Sequence, residues 1–221
     1  MPGGGAVPLT VTALRLDQFD GPIEVAVEGL PAGLRAGGGV IAPGQDSVTL
    51  LVSADEGAHL DGAVPMQVTG RAKIGGRTVE HFANPEDKLK LISLMPKADV
   101  VMTAETREIV LEPGGTAEVT VAIRRQNDFG GRVPVEVRNL PPRVRVLDVG
   151  LNGVLLNETE TRRSFTLEAL PSAEPVEQLI YVSGMVETRS PLQASYAAPQ
   201  PIVLKVKGAT QKSELRTPAG P

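Results

Sequence analysis

The 221-residue chain contains no cysteine and no tryptophan, and it has only two tyrosines, four phenylalanines and two histidines. Without thiols there is no disulfide staple, no thiolate nucleophile and no Cys-ligated zinc, so hydrophobic burial alone must hold the fold. The shortage of flat aromatic faces disfavours carbohydrate recognition, which usually stacks sugars on tryptophan or tyrosine. Nowhere do 18 apolar residues run together, so no membrane span is read. The start MPGGGAVP has no basic segment followed by an apolar one, so no signal peptide is read either. An excess of one charge is also missing. The 22 basic and 26 acidic groups give a net charge of -4, divided as 8 and 11 over residues 1–97 and 14 and 15 over 98–221. Neither part has the basic surplus of a nucleic-acid binder.

What the chain does have is a repeat. Residues 9–31, LTVTALRLDQFDGPIEVAVEGLP, return 110 positions later as VTVAIRRQNDFGGRVPVEVRNLP at 119–141, with nine of 23 positions identical. Among them are Arg15/Arg125, Phe19/Phe129, Gly21/Gly131 and Leu30-Pro31/Leu140-Pro141. A period of this length is one whole small domain rather than a solenoid unit. Further matches at an offset of 114, such as Val68-Thr-Gly70 with Val182-Ser-Gly184, carry the repeat to the far end of both copies.

Period-two alternation dominates. Leu9, Val11 and Ala13 alternate with more polar neighbours, as do Ile23, Val25 and Val27, and the second copy repeats both runs, so each copy opens with a hairpin. Further strands are predicted at 47–54, 64–72, 77–83 and 88–94, and at 164–170, 178–186, 192–197 and 202–206. The segment NPEDKLKLISLM has the start signals of a helix, but its counterpart PQPIVLKV cannot be one, and strand is the preferred reading. Pro96-Lys97-Ala98 leaves almost no linker, which places the copies end to end. The second copy opens with DVVMTAETREIVLEPGG, read as one or two strands ending in a turn, whereas the first begins at that turn. A missing first strand is expected to leave an exposed sheet edge there.

Few residues qualify as a site. In the hairpin loop, Asp17 and Asp20 could place oxygens around calcium, but the same residues are what a tight turn needs, and the second copy has Asn127 and Gly130 in their places. Phe19 and Phe129 sit at the loop centre, as contact residues or as plugs over the sandwich end. Arg15 and Arg125 share the inward parity of their strands, with heads expected to escape or to meet a loop carboxylate. His59 and His81 have no partner at ligand or triad spacing, and no nucleophile elbow, zinc helix or phosphate loop is present. The pairs Arg124/Arg125, Arg143/Arg145 and Arg162/Arg163 are read as a solvated face, since acids nearly balance them. No catalytic residue, cofactor or metal is assigned.

The run from Arg15 to Gly33, R-x-D-x-F-x-G-P-I-E-V-x-V-E-x-L-P-x-G, is followed by Ala42-Pro-Gly-Gln45, Val68-Thr-Gly-Arg-Ala72 and Gly75-Gly-Arg77. Together these resemble the tandem immunoglobulin-like β-sandwich modules of large bacterial surface or secreted proteins, including those that accompany pre-peptidase-type domains. The resemblance covers nearly all of residues 4–208. With the strand pattern it implies an all-β chain of two tandem immunoglobulin-like antiparallel β-sandwiches at 1–96 and 97–208, the first lacking its leading strand, and a disordered tail at 209–221. It further implies a non-catalytic spacer or protein-interaction module of an extracytoplasmic protein, at the cell surface, extracellular or periplasmic. Expected partners are neighbouring domains or another protein, including strand pairing at the open edge, with no nucleic acid. The alternative is a carbohydrate-binding or calcium-dependent adhesion module appended to a secreted hydrolase.

Overall fold

The computed structural model describes residues 1–84, 91–95, 98–147, 153–187 and 193–208. The predicted disordered tail lies outside the described residues, as does the 85–90 part of the strand-or-helix segment. Every regular element among the described residues is a strand. The first copy supplies β1 (Ala6–Thr12), β2 (Ile23–Glu28), β3 (Leu34–Ala36), β4 (Gly39–Ile41), β5 (Ser47–Ala54), β6 (Val64–Pro65), β7 (Gln67–Ile74), β8 (Arg77–Phe82) and β9 (Leu91–Ile92). The second supplies β10 (Val100–Ala104), β11 (Glu108–Leu111), β12 (Thr116–Arg125), β13 (Val133–Arg138), β14 (Val144–Val146), β15 (Val154–Leu156), β16 (Arg162–Ala169), β17 (Val176–Glu187), β18 (Gln193–Ala197) and β19 (Ile202–Val206).

In the second copy one sheet runs β10-β12-β16-β14, and β17 organises the other by pairing with β13, β18 and β19. The leading segment divides between them: β10 pairs antiparallel with β12, then β11 crosses over to pair in parallel with β19. A first strand shared between two facing sheets, with a Greek-key order of this kind, is the immunoglobulin-like arrangement. Alternation fills the space between the sheets. Val119, Val121 and Ile123 of β12 are buried with Leu167, Ile180 and Leu204, while Thr116, Glu118 and Arg124 face water. Neither a disulfide nor a tryptophan pins this core.

The first copy repeats the design with β1-β5-β3 on one side and β4-β2-β7-β8 on the other. Its core holds Val25, Ile41, Val48, Leu50 and Val68. Even the end of the leading strand has a trace: Met95 N–H donates to the Met1 carbonyl at 2.7 Å, as Lys207 N–H does to that of Leu111 at 2.9 Å. No strand among the described residues takes the place of β10, however. Leu9, Val11 and Ala13 are consequently only half-buried, where Val119, Val121 and Ile123 are fully so. The chain is two tandem immunoglobulin-like sandwiches, the first without a leading strand among the described residues.

The two sandwiches meet through a sheet edge. Ala6 of β1 pairs antiparallel with Ala197 of β18, so that one sheet passes from the second sandwich into the first. Ala6, Leu51, Tyr181 and Ala197 form a small apolar cluster at this junction. The edge predicted to be bare is therefore covered at its lower end by the neighbouring sandwich.

Both tyrosines stand here, and both phenols are raised above the usual value of about 10. Burial is the cause for Tyr181. For Tyr196 burial leads and the Asp99 carboxylate adds to it. The fold holds both groups protonated, so the stability associated with them is intact below about pH 10 and is lost as pH rises through the raised folded-state values. Tyrosinate absorbance is expected to appear only above the range of a free phenol and to rise with loss of the junction. Titration at the ordinary position would contradict the burial.

Candidate functional site

The loop after β1 is built like the loop after β12, but neither closes the hairpin predicted from the sequence. β1 pairs with β5 while β2 pairs with β4 and β7, and β12 pairs with β10 and β16 while β13 pairs with β15 and β17. Each loop therefore carries the chain from one sheet to the other. Asp17 and Gln18 have φ of 50° and 59°, and their counterparts Asn127 and Asp128 have 51° and 56°. Two successive left-handed residues make a tight turn that sends the chain across to the other sheet, and Asn and Asp side chains tolerate that conformation. Phe19 N–H closes the turn on the Leu16 carbonyl at 3.0 Å, and Phe129 N–H closes its copy on Gln126 at 2.9 Å.

Each phenylalanine then folds back over the following glycine. A Cβ on Gly21 would lie 2.6 Å from Phe19 Cζ, and one on Gly131 would lie 2.8 Å from Phe129 Cζ. Close ring approach, not positive φ, is why both positions are glycine. The guanidinium of Arg15 lies 5.9 Å from the Phe19 ring centre, and that of Arg125 lies 5.7 Å from Phe129.

The arginine heads neither escape to solvent nor meet a loop carboxylate, the two outcomes expected from the sequence, but donate to backbone carbonyls. Arg15 donates to Gly21 (2.7 Å), Gln45 (3.0 Å) and Ala42 (2.8 Å), and Arg125 donates to Gly131, Asn157 (2.6 Å) and Glu160 (3.3 Å). A planar cation with several donors is suited to tying two loops together in this way. Asp20 is also engaged, accepting from Gly44 N–H at 2.7 Å, while Asp17 stays exposed in the turn. No cluster of three or more His, Cys, Asp or Glu suited to a metal occurs among the described residues.

The other sequence candidates are dispersed. His59 sits beside Asp61, and both are highly exposed, while His81 lies on the outer strand β8. Arg145, Arg162 and Arg163 pair with Glu168, Glu105 and Glu160, and Arg143 donates to Ser172. A hollow of about 680 Å³ lies at the junction between Gly3, Glu56, Met95, Arg124 and Tyr196. Among the described residues its charged lining is Glu56 and Arg124, which form no general acid-base pair. Among the described residues no helix is long and apolar enough to cross a membrane.

The open edge is expected from the sequence, but the junction and the two leucines beside that edge go unnamed there. Leu14 and Leu16 are 85% and 65% exposed beside that edge, where the second copy has Arg124 and Gln126. Comparing outward positions of the repeat, rather than the shared inward ones, would have singled them out.

No family model and no curated protein matches the sequence. Among solved structures the chain is similar to domains 4 and 5 of the S-layer protein SbsC, at 11% identity over 71% of this chain and 69% of that one, with a TM-score of 0.31. A structure of domains 1-6 of the same protein matches at 14% identity over 86% of this chain and 20% of that one, with a TM-score of 0.30. A marsupial T cell receptor matches at 9% identity, covering 95% and 71%, with a TM-score of 0.34. Likeness this distant carries nothing about function.

Proposed function

We propose that the chain is a non-catalytic pair of modules, 1–96 and 97–208, that holds or contacts other parts of a larger extracytoplasmic bacterial protein, as the tandem modules it resembles do. The observation that carries this reading is the junction. A hinge would separate the sheets with a polar linker, whereas here Ala6 and Ala197 pair backbone to backbone over an apolar cluster. Two sandwiches joined in this way transmit position. The residues that looked most like a site, Arg15, Phe19, Arg125 and Phe129, are occupied in closing loops, which also supports a structural role. Solution X-ray scattering of the intact chain is expected to fit one arrangement of the two sandwiches. Ala6→Glu, which drives a charge into the junction, should broaden the size distribution while far-ultraviolet circular dichroism is unchanged. A wild-type profile already as broad as the variant's would refute the spacer reading.

A further inference from the structure

The two copies differ most at one sheet edge. In the second sandwich the outer edge of β12 is covered by β10 in the register Val100↔Arg125, Met102↔Ile123, Ala104↔Val121. By the repeat offset of 110, the same register in the first sandwich falls on Arg15, Ala13 and Val11. Gln126 N–H donates to Asp99 at 2.8 Å, which fixes Ala122, Arg124 and Gln126 as the residues whose backbone faces β10. Ala13 N–H donates to Asp46 on the β5 side, so in the first copy Thr12, Leu14 and Leu16 face outward along an edge with no strand beside it among the described residues.

The edge is limited and shaped. Its lower end is closed, because Ala6 is paired and Pro8 has no N–H, leaving donors from Thr10 to Leu16. Behind it lies space for a side chain. In the second sandwich Met102 fills the core so closely that a Cβ on Gly184 would be 3.1 Å from its Cε. Among the described residues the counterpart Gly70 has only Ile23 Cγ2, at 3.4 Å, and a carbonyl at 4.0 Å near its own Cβ position. Outside it stand Leu14 and Leu16, apolar and exposed where the covered copy has Arg124 and Gln126. In that copy Val101 is the residue opposite Arg124, so a valine in its place would lie across from Leu14.

We propose that the edge from Thr10 to Leu16 accepts an antiparallel strand from a separate polypeptide, an extended segment with apolar side chains at alternate positions in the pattern of Val100, Met102 and Ala104. This names the partner chemistry of the protein-interaction reading above and rests on it. Main-chain hydrogen bonds supply the affinity, and the side chain that packs over Gly70, in the place Met102 takes over Gly184, sets the register.

The probe is a synthetic peptide of sequence DVVMTAE, which is Asp99–Glu105 of this chain, added to the intact protein. Amide exchange at Thr12, Leu14 and Leu16 is expected to slow on the order of tenfold or more at saturation, with Ala13 and the second sandwich unchanged. The same peptide with Met102→Asp, or N-methylated at the residues corresponding to Val101 and Thr103, should have no effect. Leu14→Pro in the protein should also abolish the response, since it removes an outward N–H. The N-methylated peptide decides the matter should that variant misfold. Unchanged exchange, protection elsewhere, or protection arising from self-association of the chain would overturn the proposal. A failed peptide leaves the rigid junction standing, and a flexible junction leaves the peptide response standing, so the two readings fail separately.

Discussion

Arg125→Ala is expected to lower the stability of the second sandwich by about 3 kcal/mol, read as a shift in denaturation midpoint without a change in slope. The guanidinium donates to carbonyls from two separate loops, those of Gly131, Asn157 and Glu160. Hydrogen bonds to a charged donor contribute about 1.5–3 kcal/mol each, reduced here because the group is only partly buried, and the contact with Phe129 adds about 0.5–1. Removing the head leaves three acceptors without their donor and the ring without its cover. Arg125→Lys should recover less than half the loss, because an ammonium cannot span carbonyls of both loops and lie flat against the ring. Full recovery by lysine would mean that charge alone matters at this position.

Met102→Ala is expected to cost about 2–4 kcal/mol in the same sandwich. Its side chain is 1% exposed and sits against Gly184, beside Val133, in the heart of the core. Truncation leaves a cavity that the rigid pair of sheets cannot collapse. Because the first sandwich has its own core around Val25, Leu50 and Val68, exchange of those amides should move little. A loss shared equally by both sandwiches would show that the junction couples their unfolding completely.

Much of the architecture was legible because the repeat and the period-two alternation are properties of single strands. Val119, Val121 and Ile123 can be read as one buried row without knowing what covers them. The split of DVVMTAETREIVL into β10 and β11 on different sheets was not legible in the same way, since the crossover depends on which neighbours compete for each half. The junction was hidden for a related reason: Ala6 and Ala197 are small, unremarkable strand residues, and only their pairing gives them a role.

Turn chemistry shows the same division. Gly29 and Gly33 adopt φ of 73° and 83°, and the positions they share with the second copy are held at 64° and 65° by Asn139 and Arg143. Asn is an ordinary substitute in this conformation, but arginine is not, and its residue type gives no warning. The alternation that suggests a hairpin of β1 and β2 does not say that the two strands lie on different sheets. At the loop between them, carboxylates and aromatics have the residue types of ligands or contacts. Their actual neighbours, the backbone carbonyls and Gly44 N–H, carry no signature in a sequence.

Amide hydrogen exchange on the intact chain, comparing Thr12, Leu14 and Leu16 with Ala122, Arg124 and Gln126, tests most directly whether the two sandwiches share one design and differ by a single strand. The first three amides are expected to exchange near the rate of solvent-facing backbone, and the second three to be slower on the order of a thousandfold beneath β10. Equal protection of the two sets would contradict the account.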